Sequence, residues 1–558
     1  MEKEDEAARM RKWLGMICGE IHLPTLLLCS GCLLPICGNL PQMLEMIQEK
    51  WALVGMLVIF LSSAISILRR TPFPVSQDKV LKTFVLLGAI EILIIILQSL
   101  HIIASLHPFF RFTGTFGNPT LFAMMMALCL PICTFYLVKS ADKRHTPWLF
   151  LTICVWFFLI LSESRTCVIA GICSSFVITF MEISKVRSLL TTWKSRLLVL
   201  LGCIILLATL YCYKRDSADG RALIWAVSLK MISEKPFWGW GEYGFSSSYM
   251  PAQAIFLKDF PEGGLSYLAD NISHPFNEFL LFCINYGVIG LAMLLCLMVL
   301  LANRIVRIGN TRKSLYLAIL LTLVVLSMFS YPYTVPVIWL ASTFLICVVL
   351  PLCCLNTPRL RIPVVILLCF GILWILVRNR HICAVWQWQE LQTSSSPIEV
   401  VHEKYNRLYR HLDKNPSFLY NYGAWLHHNG YYRESLGILS ECVKTYDDYN
   451  VELLIADNHK QLGNTKRAIE TFEHANAMVP CRFLPLYHEM TIYEANGDYV
   501  NAVRIAKRIV TKPVKIGHSA SVKKIIHEAE CVVHRWEAII NASDMLQEND
   551  GQNSSNSR

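Results

Sequence analysis

Three arginines, one histidine and a short polar run stand where an otherwise apolar chain can do chemistry. Arg221 opens Arg-Ala-Leu-Ile-Trp225, and His274 opens His-Pro-Phe-Asn277-Glu278 at the mouth of an apolar stretch. Arg165 lies in Ser162-Glu-Ser-Arg, and Arg111 in Arg-Phe-Thr-Gly-Thr-Phe-Gly-Asn118-Pro119. Histidine changes charge near neutral pH, so His274 is either a general base or a polar anchor at a membrane surface. His, Asn and Glu at the end of a span are costly unless they face protein or a wet cavity. The arginines either snorkel to lipid headgroups or form a shared cationic face.

The elements that must position these groups are membrane spans. The chain has 558 residues, 54% hydrophobic and only 16% charged. Soluble domains carry roughly 25% charged residues. Hydropathy predicts eleven spans near 14–38, 51–68, 83–105, 118–138, 147–163, 166–182, 197–213, 275–302, 314–330, 336–353 and 362–378. Residues 1–13 read as a cytoplasmic segment before a retained anchor. Lys and Arg alternate between loops, with Arg69, Arg70, Lys139, Arg187, Arg304 and Arg361 on one side and few on the other. This asymmetry predicts a cytoplasmic N-terminus and an outward loop, 214–273. Arg111, Arg165 and Arg221 then stand out on a face that otherwise avoids positive charge.

Within that loop, residues 221–232 place apolar side chains at helical spacing, as a helix lying on the membrane surface does. Gly239, Gly241 and Gly244 lack dinucleotide spacing and a preceding strand, so they predict a tight turn with Trp238, Trp240 and Tyr243 at headgroup level. Pro275 suits a first helical turn. The formal charge of +10 does not indicate nucleic acid, because no basic patch interleaves with aromatics. Most of the 21 cysteines sit in spans as small apolar residues, Cys29 and Cys32 among them. No Asp-x-Asp pair occurs on the outward face, and neither metal nor cofactor is expected.

Beyond a linker, 379–397, Gly430, Gly463 and Gly497 recur at the period of tetratricopeptide repeats, each in a helix-to-helix turn. Residues 398–541 therefore predict a repeat solenoid with a leading helix (398–414), a terminal helix (520–541) and a concave groove for a peptide or partner protein, or else a structural cap or dimer contact. Residues 542–558 read as a disordered tail. The expected fold is all-α: a polytopic helical bundle spanning 14–378, followed by a soluble α-solenoid.

The motifs Gly114-Thr-Phe-Gly-Asn-Pro119, Ser164-Arg165, Gly220-Arg-Ala-Leu-Ile-Trp225, Pro236-Phe-Trp-Gly-Trp-Gly-Glu-Tyr-Gly-Phe245, Asn277-Glu-Phe-Leu280, Tyr286-Gly-Val-Ile-Gly290 and Ser330-Tyr-Pro332 occur in this order. Across about residues 50–355 the chain resembles the O-antigen ligase and O-antigen polymerase superfamily of bacterial inner-membrane proteins, which includes protein O-oligosaccharyltransferases. The resemblance implies a metal-independent glycosyltransferase, with its loop and C-terminal domain periplasmic. Its donor is a glycan on a polyprenyl-pyrophosphate carrier, and its acceptor is a hydroxyl of a lipid or protein. Arg221, Arg165 and Arg111 would bind the diphosphate, because guanidinium forks suit phosphate oxygens. His274 would be the base, with Asn277, Glu278 and Trp225 supporting. The chain departs from the family in one respect: Phe276 stands where relatives carry the His, two residues after His274. A polysaccharide polymerase, a carrier flippase and a non-catalytic scaffold presenting the repeats are the competing readings.

Overall fold

The computed structural model describes residues 41–69, 77–105, 107, 110, 112–140, 142–213, 215–258, 264–307, 311–356, 359, 361–394, 396–515 and 519–555. The expected first span, 14–38, with Cys29 and Cys32, and the candidate Arg111 lie outside them. Every regular element among the described residues is helical. Two compact units divide the chain: one of residues 1–212, 276–279 and 292–393, the other of residues 213–275, 280–291 and 394–558.

The first unit contains helices α1 (Pro41–Arg69), α2 (Gln77–Ser99), α3 (Pro119–Lys139), α4 (Asp142–Leu161), α5 (Arg165–Glu182), α6 (Ser184–Leu189) and α7 (Trp193–Tyr213). Six helices among the described residues are long and apolar enough to cross a bilayer, against the eleven spans expected. Three further apolar helices, at His145–Leu161, Lys313–Phe329 and Pro336–Val349, are shorter. Length separates the two groups, because a span needs about 20 residues to cover 30 Å of hydrocarbon. Helix α3 is the core of the unit: Phe122 through Leu130 are all buried. Asn118 caps it, its side chain accepting from Thr120 N at 2.8 Å, and Pro119 occupies the first turn, where a missing N–H costs nothing.

In the second unit, α8 (Arg215–Glu234), α9 (Gly244–Lys258) and α10 (Gly264–Leu268) form the loop segment. Helix α11 (Glu278–Arg307) returns to the first unit and is followed there by α12 (Lys313–Phe329), α13 (Pro336–Asn356) and α14 (Arg361–Gln392). The C-terminal part of the second unit consists of α15 (Ile398–Leu412), α16 (Pro416–His428), α17 (Tyr432–Thr445), α18 (Tyr449–Gln461), α19 (Thr465–Met478), α20 (Leu484–Ala495), α21 (Tyr499–Thr511) and α22 (Ala520–Ser555). Gly430, Gly463 and Gly497 each take a left-handed φ, +83°, +75° and +76°, one residue past the C-caps of α16, α18 and α20. The following N–H closes each helix end: Tyr431 N to Leu426 O, Asn464 N to His459 O and Asp498 N to Tyr493 O, all 2.9 Å. The periodic glycines therefore mark identical helix-stop turns, because only glycine enters this conformation without steric cost. Helix α22 continues past residue 541 to Ser555, although the polar sequence beyond that point suggests a tail. No proline interrupts those residues.

Candidate functional site

Arg221 and Trp225 stand one turn apart on α8, and so share a face. The indole Nε1 of Trp225 donates to the carbonyl oxygen of Pro275 at 3.0 Å. A residue adjacent to His274 is thereby tied to the helix that carries Arg221. Pro275 is buried and Trp225 and His274 are half-buried, so the junction is only partly open to solvent. Arg221, Trp225 and His274 thus lie on two segments of the second unit that the Trp225 to Pro275 bond joins.

Pro275 does not occupy a first helical turn. Residues 274–277 are non-helical and α11 begins at Glu278, because Phe276 takes φ 54° and breaks the helical path. A bulky residue in that region carries strain of about 1–3 kcal/mol, which persists only where the surroundings enforce it. In the first unit the Phe276 ring packs edge-on against Tyr331, 5.5 Å between centroids. His274 is therefore placed by a turn, and helical rotation does not relate it to position 276.

The glycine turn is anchored by backbone rather than by lipid-facing aromatics alone. Helix α11 is broken at Gly287, φ 71° and ψ −177°, which exposes main-chain groups. Trp240 N donates to Ile284 O at 2.8 Å, Gly241 N to Asn285 O at 2.9 Å, and Val288 N to Pro236 O at 2.8 Å. Asn285 adds two bonds, accepting from Phe245 N at 3.1 Å and donating to Glu242 O at 2.9 Å. A Cβ on Gly287 would stand 2.0 Å from Phe237 O, and one on Gly239 would stand 2.5 Å from Ile284 O. Both glycines are required for this approach of two main chains. Trp240 turns inward, its indole donating to Met231 O at 2.9 Å, whereas Trp238 is 78% exposed.

In the first unit Arg165 is the first residue of α5, preceded by Glu163 at φ 54°. Its neighbour Thr166 donates to Phe329 O at 3.3 Å, next to Ser330-Tyr331-Pro332. Thr166, next to Arg165, and Phe276 therefore both contact residues 329–331 of that unit. The structure also adds residues that the sequence reading missed. Glu91, 1% exposed within α2, accepts from Thr115 Oγ1 at 2.6 Å and Thr115 N at 3.0 Å. Gln98 accepts from Gly114 N and donates to Gly114 O, both 3.0 Å, and Gln48 donates to Thr115 Oγ1 at 3.0 Å. A carboxylate mid-span is itself a functional signal, and Glu91 was visible as one. A cavity bounded by Gln48, Trp51, Glu91, Phe116 and Val337 adjoins this cradle.

An all-helical, multi-pass membrane protein with a long polar loop is the class that these observations define. Residues 150–295 match the family described as O-antigen ligase, and over this stretch the chain is similar to that family. The matched segment holds Arg165, Arg221, Trp225, His274, Asn277 and Glu278. No curated protein matches the chain.

Proposed function

We propose that the protein transfers a glycan from a polyprenyl-pyrophosphate carrier to an acceptor hydroxyl of a lipid or protein, at the periplasmic face of a bacterial inner membrane. The family match supports a glycosyltransferase-like activity. The bond from Trp225 to Pro275 carries the assignment of roles, because it holds the histidine segment against the helix of the arginine. In the reaction His274 takes the acceptor proton, the hydroxyl oxygen bonds to the anomeric carbon, and the bond from that carbon to the phosphate oxygen breaks. The electron pair leaves with the polyprenyl diphosphate. Arg221 stabilises the departing oxyanion, a developing charge that a fixed guanidinium serves better than water does. Arg165 and Arg111 keep the diphosphate role implied by the resemblance, and Asn277 and Glu278 remain supporting residues.

Glycans from cells carrying Arg221→Ala or His274→Ala test the reading. Loss of a glycoconjugate together with accumulation of the carrier-linked donor is the expected result. Shortened chains that still reach their acceptor would reassign the protein to polymerisation. Unaltered glycans in both variants would remove the enzymatic role.

A further inference from the structure

Helix α9 of the loop lies on the repeat helices α17 and α19 of the same unit. Ser246 Oγ donates to Thr445 O at 2.6 Å, and Asp447 N donates to Ser246 O at 3.0 Å. Directly beneath this joint lie the side chains of Asp447, Glu452 and His474. One ligand atom from each falls within 4.8 Å of the other two. Asp447 is 5% exposed and Glu452 9%. Two carboxylates so placed repel each other and lose hydration, which a protein tolerates only with a proton or a cation between them.

The neighbouring Asp448 sharpens the contrast. Its Oδ1 caps α18 by accepting from Asn450 N and Val451 N, and its Oδ2 accepts from Asn271 Nδ2 and Tyr446 OH. Asp448 is thus fully engaged. Asp447 Oδ1 is buried and accepts no hydrogen bond.

We infer that Asp447, Glu452 and His474 form a site for one divalent cation of the zinc class, which ties the turn before α18 to α18 and α19. Two carboxylate oxygens and one imidazole nitrogen make a donor set that zinc accepts and magnesium or calcium does not favour. A water completes four-coordination. The site is structural, and it stands whether or not the transferase reading does.

The full-length chain in detergent, stripped with a chelator, is dialysed against zinc chloride with magnesium in excess, and bound metal is measured by mass spectrometry. One zinc per chain is expected, both for the wild type and for the exposed control His534→Ala. Asp447→Asn and Glu452→Gln, which preserve size, and His474→Ala should each weaken binding by at least about tenfold, since each removes a ligand. Amide exchange at Asp447 and Glu452 should slow when zinc is added. Absence of zinc from the wild type at micromolar concentration overturns the inference and leaves the carboxylates sharing a proton. Undiminished binding by all three variants overturns it equally.

Discussion

The Arg221 guanidinium and the Trp225 indole do different work from neighbouring turns of one helix, and substitution separates them. Arg221→Lys retains charge but loses the planar fork, so transfer in membranes supplied with carrier-linked donor should fall by about tenfold or more, and Arg221→Ala by about 100-fold or more. Trp225→Phe keeps the ring and deletes only the N–H that meets Pro275 O. Under the proposed transfer, the rate at saturating donor should fall while the donor KM changes little, because the histidine segment is displaced and the diphosphate contact assigned to Arg221 is not. Glu489 makes a prediction about pH. It is fully buried in α20 and neither carboxylate oxygen accepts a hydrogen bond. Burial first, and then Glu473, raises its carboxyl from 4.5 to about 7. The folded state therefore holds the proton more tightly than the unfolded chain. Its stabilising contribution is complete below pH 4.5 and is lost as pH rises through about 7. Glu489→Gln should raise the unfolding temperature at about pH 8 and leave it little changed at about pH 4, the difference being on the order of 2 kcal/mol.

At the scale of elements, the break in α11 decides how the glycine turn is held. Gly287→Ala forces a Cβ against the Phe237 carbonyl at a positive φ, so main chain must move on one side or the other. A loss of at least about 2 kcal/mol in local stability is expected, read as faster amide exchange at Trp240, Gly241 and Val288. Gly463→Ala gives a milder comparison. Nothing lies within 4 Å of its Cβ position, so only the left-handed φ is penalised, at about 1 kcal/mol by thermal unfolding. If both substitutions cost the same, the close approach at Gly287 is not what holds the turn.

Within the second unit as a whole, the repeat helices bind the chain's own loop. Gln253, fully buried in α9, donates to Met478 O at 2.7 Å and to Asp270 O at 3.1 Å. Arg482 pairs with Asp270 at 3.0 Å, and Cys481 Sγ donates to Ala269 O at 3.3 Å. The sequence suggests repeats that await a peptide or partner protein, and Ser246, Gln253 and residues 269–271 of the loop already bond to Thr445, Asp447, Asp448, Met478, Cys481 and Arg482 of this array. Gln253→Leu leaves two carbonyls without their donor, which costs about 1–3 kcal/mol. Proteolysis in the loop segment should accelerate while the repeat helices stay protected; equal protection in both forms would mean that the loop is held by other contacts.

Local chemistry made much of this protein legible from its residues. Apolar runs demand a bilayer, and periodic glycines after helical stretches demand helix-stop turns, since glycine enters the left-handed region without steric cost. The ordered motifs from Gly114 to Pro332 pointed to the O-antigen ligase superfamily without any contact being known. What neighbouring residues cannot encode is which distant partner satisfies a buried group. Glu91 meeting Thr115, Asn285 bracing the glycine turn and Asp447 meeting Ser246 join positions far apart in the chain, and their buried donors and acceptors are satisfied only once tertiary packing excludes water. Pro275 shows the same limit: alone it favours a helix start, but Phe276, held in a left-handed conformation, moves that start to Glu278.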